Sequence, residues 1–301
     1  MNPESATLTG SKKLDALSES HAIPSGIVQI EVVTKYELLN YFRSRRLFTL
    51  LAIELTIASA LTGVGAYYGI NAFGSTPLAF YTSWFGSGVL GSPATNVILF
   101  CAIFFGGDAI SGEFQNKTGY FTAANPVLRS TLYTGKWVAA LAASLLMFGT
   151  FSAIAVSNAA YYFGVAAFPH ELGESLLFSL VYLVAVLGFT FFFSSLFKNI
   201  SMSMLVTAVL FLFGFRLIQE IVSSIARIEP WFILTYSSGI ISNILAVPYP
   251  AHILAGGRDA FTGMSVIQYN PMVFEGLGIM LTYFAITFAL GLALFEWKEF
   301  K

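Results

Sequence analysis

Six stretches of about twenty apolar residues divide this chain, and that repetition leaves few folds open to it. A helix needs about twenty apolar residues to cross the hydrocarbon core of a bilayer. The qualifying segments run from about Leu47 to Ile70, Gly88 to Ile110, Trp137 to Gly164, Ser175 to Phe197, Ser201 to Ser224 and Gly276 to Glu296, with Pro93 kinking or starting the second. Only 10% of the 301 residues are charged and the mean hydropathy is +0.74, whereas soluble domains carry roughly a quarter charged residues. The reading is an all-α polytopic membrane protein with six transmembrane helices. A seventh run, Trp231 to Val247, is apolar but short, holds Ser237, Ser238, Gly239, Ser242 and Asn243, and runs into Pro248 and Pro250. It reads as a re-entrant or interfacial part of the outer loop between spans 5 and 6; as a seventh span it would move the carboxyl end outside.

Three regions follow. Residues 1–25, rich in Ser, Thr and small residues without periodicity, read as a disordered cytoplasmic tail. Residues 26–46 read as an amphipathic interfacial helix, and 47–301 as the six-span domain. The first apolar run begins too far along and is too long for a secretory leader, so it reads as an anchor that stays. Orientation follows the basic residues. Lys12, Lys13, Lys35, Arg43, Arg45, Arg46, Lys117, Arg129, Lys136, Lys198, Lys298 and Lys301 fall on one side, against Arg227 and Arg258 on the other. The first two outer loops, about Asn71 to Ser87 and Val165 to Glu174, hold none. Both termini are therefore expected in the cytoplasm and the chain in the cell membrane.

The 26–46 helix carries two apolar stripes: Ile27, Ile30, Leu38, Tyr41 and Phe42 on one side, Val28, Val32, Tyr36 and Leu39 on another, with Glu31 and Lys35 as an i,i+4 pair between them. Two apolar faces need two surfaces, so the helix is expected to lie along the inner membrane surface while touching protein; the simpler alternative is an interfacial anchor held by Arg43, Arg45 and Arg46. The inside loop from Ser111 to Lys136 mixes charges with Phe114, Tyr120 and Phe121 and can form a short helix with Glu113 and Lys117 paired at i,i+4. Asn125-Pro126 then supplies an N-cap and an N1 proline, so a new helix is expected to start there and run into the third span.

Charges within the spans are expected to matter. Arg216 and Glu220 sit at i,i+4 in the fifth span, as a structural pair or as part of a gate. Glu54, two turns into the first span, meets a basic group or lines a cavity. Asp108, near the inner end of the second span, is a partner for the amino-terminal helix or for the loop. Runs such as Phe189-Thr-Phe-Phe-Phe193 and Phe211-Leu-Phe-Gly-Phe215 are packing, or line a pathway suited to an apolar or amphipathic substrate. Cys101 is the single cysteine, His21, His170 and His252 share no helix face, and no Ser, His and acid grouping stands out, so metal and covalent catalysis are not expected. The sequons at Asn116 and Asn199 fall in inside loops and read as chance matches. Nothing points to nucleic acid.

Asp108-Ala-Ile110-Ser-Gly-Glu113, Thr118, Pro126-Val-Leu-Arg129 and Gly135-Lys136 together resemble the signature of the ABC-2 type permeases, the membrane subunits of ABC exporters. Lys117 departs from the pattern, standing where glycine is common. The resemblance implies that the Ser111 to Asn125 stretch holds a coupling helix that sits in a cleft of a cytoplasmic ABC ATPase subunit, and that Asp108, Glu113, Lys117, Thr118, Pro126 and Arg129 serve the coupling to that subunit. It further implies a second membrane subunit, a non-catalytic role for this chain, ATP and Mg held by the partner ATPase, and short helices capping the pathway in the last outer loop. A Walker A loop is absent: Ser130 to Trp137 has Gly135-Lys136 but lacks the earlier glycine and the following hydroxyl. The rival readings are an ion-gradient-driven secondary transporter, for which the two halves show no convincing repeat, and a membrane anchor or regulatory subunit for an ATPase.

Overall fold

The computed structural model describes residues 25–69, 72–86, 92–117, 127–258 and 265–298. The chain opens with α1 (Gly26–Arg43). Only Ser44, in extended conformation, separates it from α2 (Arg45–Tyr68), the first span. A short helix, α3 (Pro77–Phe85), precedes the second span, α4 (Pro93–Gln115). The third span is α5 (Arg129–Phe163) and the fourth α6 (His170–Leu196). The fifth, α7 (Ile200–Ser223), continues in π form to Ile225. Then come α8 (Leu234–Ser237), α9 (Gly239–Asn243), an antiparallel hairpin of β1 (Ile253–Arg258) and β2 (Ser265–Tyr269), and the sixth span, α10 (Val273–Trp297). Among the described residues six helices are long and apolar enough to span a bilayer, and the chain is a multi-pass membrane protein.

The ends of the spans obey local chemistry. Ser92 accepts a hydrogen bond from the Thr95 N–H at 3.3 Å and Pro93 takes the first helical position, so proline starts α4 and does not kink it. Helix α5 begins at Arg129 behind an extended Leu128 that makes no side-chain cap. The helix start expected with Asn125 as cap and Pro126 as first residue is thus corrected by three residues; residues 118–126, with Thr118 and Pro126, lie outside those described, as does the expected tail up to Pro24. At 35 residues α5 is about 52 Å long, far more than a bilayer core of about 30 Å. Its first turns, Arg129 to Lys136, extend beyond the apolar run that starts at Trp137.

On the side away from α1 the structure departs from a plain-loop reading. Residues 77–85 form α3 because Thr76 caps it, accepting from the Ala79 N–H at 3.2 Å, and Pro77 starts it. Phe80, Tyr81, Trp84 and Phe85 are all fully buried, and Trp84 packs on Phe151 of α5 at 5.4 Å. The 231–247 run is not a seventh span. It breaks into α8 and α9, each too short to cross, with Leu234, Tyr236, Ile240, Ile241 and Leu245 buried. Interrupted helix at membrane depth is tolerated where protein covers it. The same outer loop, which the resemblance implies carries short helices, also holds the β-hairpin after Pro250, in keeping with the β-forming Val266, Ile267 and Tyr269.

Spans α4, α5 and α6 form the buried interior, whereas α2, α7 and α10 turn most of their surface outward. Leu205, Phe213, Leu217, Leu281, Ile286 and Leu290 are exposed there, as side chains that contact lipid must be. The aromatic runs pack on one another across three spans: Phe189 lies 5.2 Å from Phe211, 5.6 Å from Phe215 and 6.3 Å from Tyr283. Phe189, Phe211 and Phe215 thus pack between the spans, whereas Phe213 faces outward. Glycine permits the closest approach. A Cβ on Gly291 of α10 would lie 2.3 Å from the Tyr133 hydroxyl and 3.1 Å from the Phe192 Cα, so α5, α6 and α10 meet there without room for a side chain.

Gly291→Val is therefore expected to cost about 1–3 kcal/mol through overpacking and to lower the melting temperature of the detergent-solubilised chain. Gly278→Val on the same helix, where an added Cβ meets nothing within 4 Å, is expected to leave it unchanged. Equal melting temperatures for both variants would refute this account of the α10 packing.

Candidate functional site

The densest set of charges lies where α1, the end of α4 and the start of α5 meet. The Lys136 ammonium is buried and contacts two carboxylates, Glu37 on α1 and, at 2.9 Å, Glu113 on α4. Two negative groups around one positive group hold a buried charge that would otherwise be costly, and the geometry ties three elements at one atom. Beside it, Gly135 lets α1 come close. An added Cβ there would lie 2.7 Å from Val33 Cγ1, and the Thr34 hydroxyl donates to the Gly135 carbonyl at 3.1 Å. The Gly-Lys pair thus does two jobs, contact and charge.

A second ion pair joins Arg46, at the start of α2, to Asp108 of α4. Between the two pairs, the buried Tyr41 hydroxyl donates to the Phe105 carbonyl at 3.1 Å. Burial, and then Glu37, push that phenol above its ordinary range, so it stays a donor. Phe105 sits in a π-helical stretch, Ala102–Gly106, after which α4 turns irregularly before resuming at Ser111. There the Ser194 hydroxyl of α6 accepts from both the Ile110 and Ser111 N–H groups at 3.0 Å, satisfying donors the helix has released.

The other span ends on this side are capped by basic and amide side chains. Arg129 donates to the carbonyls of Glu296 and Lys298, both at 2.9 Å, closing the end of α10. Lys298 in turn donates to the Ser195 and Leu196 carbonyls at 2.9 and 3.1 Å, closing the end of α6, and its ammonium stands 4.5 Å over the Phe114 ring. Burial, and then the neighbouring Lys198, hold Lys298 below the usual lysine range. The Gln115 side-chain oxygen accepts from the Ile200 N–H at 2.7 Å, the first turn of α7. All six spans are linked at this end.

The residues expected from sequence to matter divide accordingly. Asp108, Glu113 and Arg129 are brought together here. Glu113 pairs with Lys136, not with Lys117; the helix stops at Gln115, and Lys117 is exposed with a left-handed backbone at φ 56°. Glu31, Lys35 and Arg43 lie exposed, and among the described residues no ion pair joins Glu31 to Lys35, since exposed charges gain little by pairing. The inward stripe of α1 is Ile30, Val33, Thr34, Glu37 and Leu38, all partly buried, with Tyr41 buried; Ile27 and Phe42 face outward with Val28, Val32, Tyr36 and Leu39. Sequence reasoning missed Glu37 and the role of Lys136. The available signal was a carboxylate at helical spacing within an apolar stripe.

On the opposite side, Arg216 and Glu220 line a cavity of about 310 Å³ with Gln219, Tyr182, Asn243 and Asn270. Its wall is rich in polar groups. Glu54 is elsewhere, buried against Leu50, Ile53, Val97, Phe100 and Cys101. Glu229, His252 and Glu275 also converge on that far side. Sequence spacing gave no sign of this grouping, because two separate loop positions and one helix supply its residues.

A family model described as ABC-2 family transporter protein matches residues 31–300. No curated protein matches the chain.

Lys136→Met leaves Glu37 and Glu113 buried without their cation and is expected to cost about 3–5 kcal/mol, read as a lowered melting temperature in detergent. Adding Glu37→Gln and Glu113→Gln to it is expected to restore most of the loss. A single variant as stable as the parent would show that the three groups are not coupled.

Proposed function

Because this chain belongs to the ABC-2 family of transporter proteins, we propose that it is the membrane permease subunit of an ATP-driven exporter. Its motor is a separate cytoplasmic ATPase chain, which holds the ATP and Mg; this chain is non-catalytic. A second membrane subunit, identical or related, completes the pathway. The α1 side faces the cytoplasm, in line with the basic residues concentrated there.

One observation carries the reading: the side of the chain that bears the family-like motif is also the side on which every span is tied to its neighbours. Force applied by a partner to the connection between Gln115 and Arg129 reaches α4 through Glu113 and α5 through Lys136. It reaches α10 and α6 through Arg129 and Lys298. Away from that side, α4, α6 and α7, with α8 and α9, line the polar cavity at Arg216 and Glu220. Closure of the ATPase would tilt α4 and α5 as a unit and change access to that cavity. The aromatic runs support packing more than an apolar pathway, and the polar wall favours a substrate with hydrogen-bonding groups.

The test is affinity capture of the detergent-solubilised chain from its native membrane, with ATPase activity measured on what co-purifies. A stoichiometric nucleotide-binding chain is expected. Replacing residues 117–127 with a flexible linker of equal length is expected to abolish its capture while α4 and α5 stay joined at Lys136, seen as an unchanged melting temperature. A chain that purifies alone and moves solute down an ion gradient would overturn the proposal in favour of a secondary transporter.

A further inference from the structure

On the far side, remote from the Lys136 cluster, Glu229 follows α7, His252 precedes β1, and Glu275 lies in the first turn of α10. Each offers one ligand atom, and the three atoms lie within 4.8 Å of one another. All three side chains are partly buried. His252 Nδ1 stands 2.8 Å from the Asn270 carbonyl. A carbonyl only accepts, so the ring proton is on Nδ1 and a neutral imidazole presents the lone pair of Nε2. Glu229 Oε2 lies 3.3 Å from Nε2. The other Glu229 oxygen accepts from the Tyr236 hydroxyl at 2.5 Å, and Glu275 Oε2 accepts from the Met272 N–H at 3.4 Å.

With the imidazole neutral, two carboxylates and a nitrogen lone pair converge with no positive charge among them. A second proton on His252 balances one carboxylate. A divalent cation balances both.

We propose that Glu229, His252 and Glu275 bind a divalent first-row transition metal, with Zn²⁺ the ion that suits one imidazole nitrogen and two carboxylate oxygens. Ligands about 2.0–2.1 Å from a tetrahedral zinc stand about 3.3–3.4 Å from each other, which is the separation of His252 Nε2 and Glu229 Oε2. The Asn270 carbonyl behind His252 and the Tyr236 hydroxyl behind Glu229 are the outer partners that orient metal ligands. A fourth position is left for water or for a donor atom of a bound molecule. The ion joins the end of α7, the base of the hairpin and the start of α10. Tyr236 and Asn270 also line the polar cavity, so coordination fixes one wall of it. This site does not depend on the transporter reading.

The full chain, freed of any affinity tag and stripped with EDTA, is titrated with Zn²⁺ in detergent by calorimetry and by thermal melting. One equivalent is expected to bind and to raise the melting temperature, with Mg²⁺ giving no such rise at the same concentration. His252→Ala, Glu229→Gln and Glu275→Gln are each expected to weaken zinc binding by at least about tenfold, with metal-free melting temperatures as the control for folding. Loading the parent chain with Co²⁺ is expected to give the intense visible absorption of a tetrahedral site, displaced by zinc, a readout that needs no variant. Absence of saturable binding, zinc affinity unchanged in His252→Ala, or a site that responds to protons alone, with stability lost as pH rises through the imidazole range and no effect of metal, would each overturn the proposal.

Discussion

The ammonium of Lys136 holds three parts of the molecule that chain connectivity alone would leave loose. Helix α1 is joined to the first span by Ser44 alone, and α4 and α5 are separated by a long connection. A buried lysine can exist only with compensation, so Glu37 and Glu113 must both stay where they are, and α1 must lie against α5. Gly135 makes that contact possible by offering no side chain between the two helices. The remaining ties, Arg46 to Asp108, Arg129 to the end of α10 and Lys298 to the end of α6, add to a frame already set by this cluster.

The two sides of the protein are built by different means. On the α1 side the helix ends are closed by long basic side chains that cap carbonyls and pair with carboxylates, which suits a surface that transmits force. On the far side the chain is closed by short pieces, α3, α8 and α9, whose apolar residues are tucked between the spans. Those pieces leave a polar cavity among them and, beside it, the Glu229, His252 and Glu275 grouping.

The spans were legible because their signal is compositional. Twenty apolar residues mark a crossing whatever they pack against, and six such runs became six helices. The failures were of another kind. Glu113 has Lys117 at i,i+4 in the sequence, yet Lys117 has left the helix and Lys136 reaches Glu113 instead. The first outer loop reads as a loop until Thr76 and Pro77 are recognised as the start of a helix. The hairpin at β1 and β2 was missed because short strands in a loop have little periodicity to read.

Sequence by itself thus determined the membrane class, the number of spans, the amphipathic character of α1 and the family-like motif, because each depends on local composition or on residues close in the chain. Tertiary structure alone decided which charges pair. Lys136 is far in sequence from Glu37 and Glu113 lies on a different helix, so their meeting depends on how three helices pack, and on Gly135 allowing it. The same holds for Glu229, His252 and Glu275. Their chemistry exists only because the end of one helix, the base of a hairpin and the start of another helix converge in space.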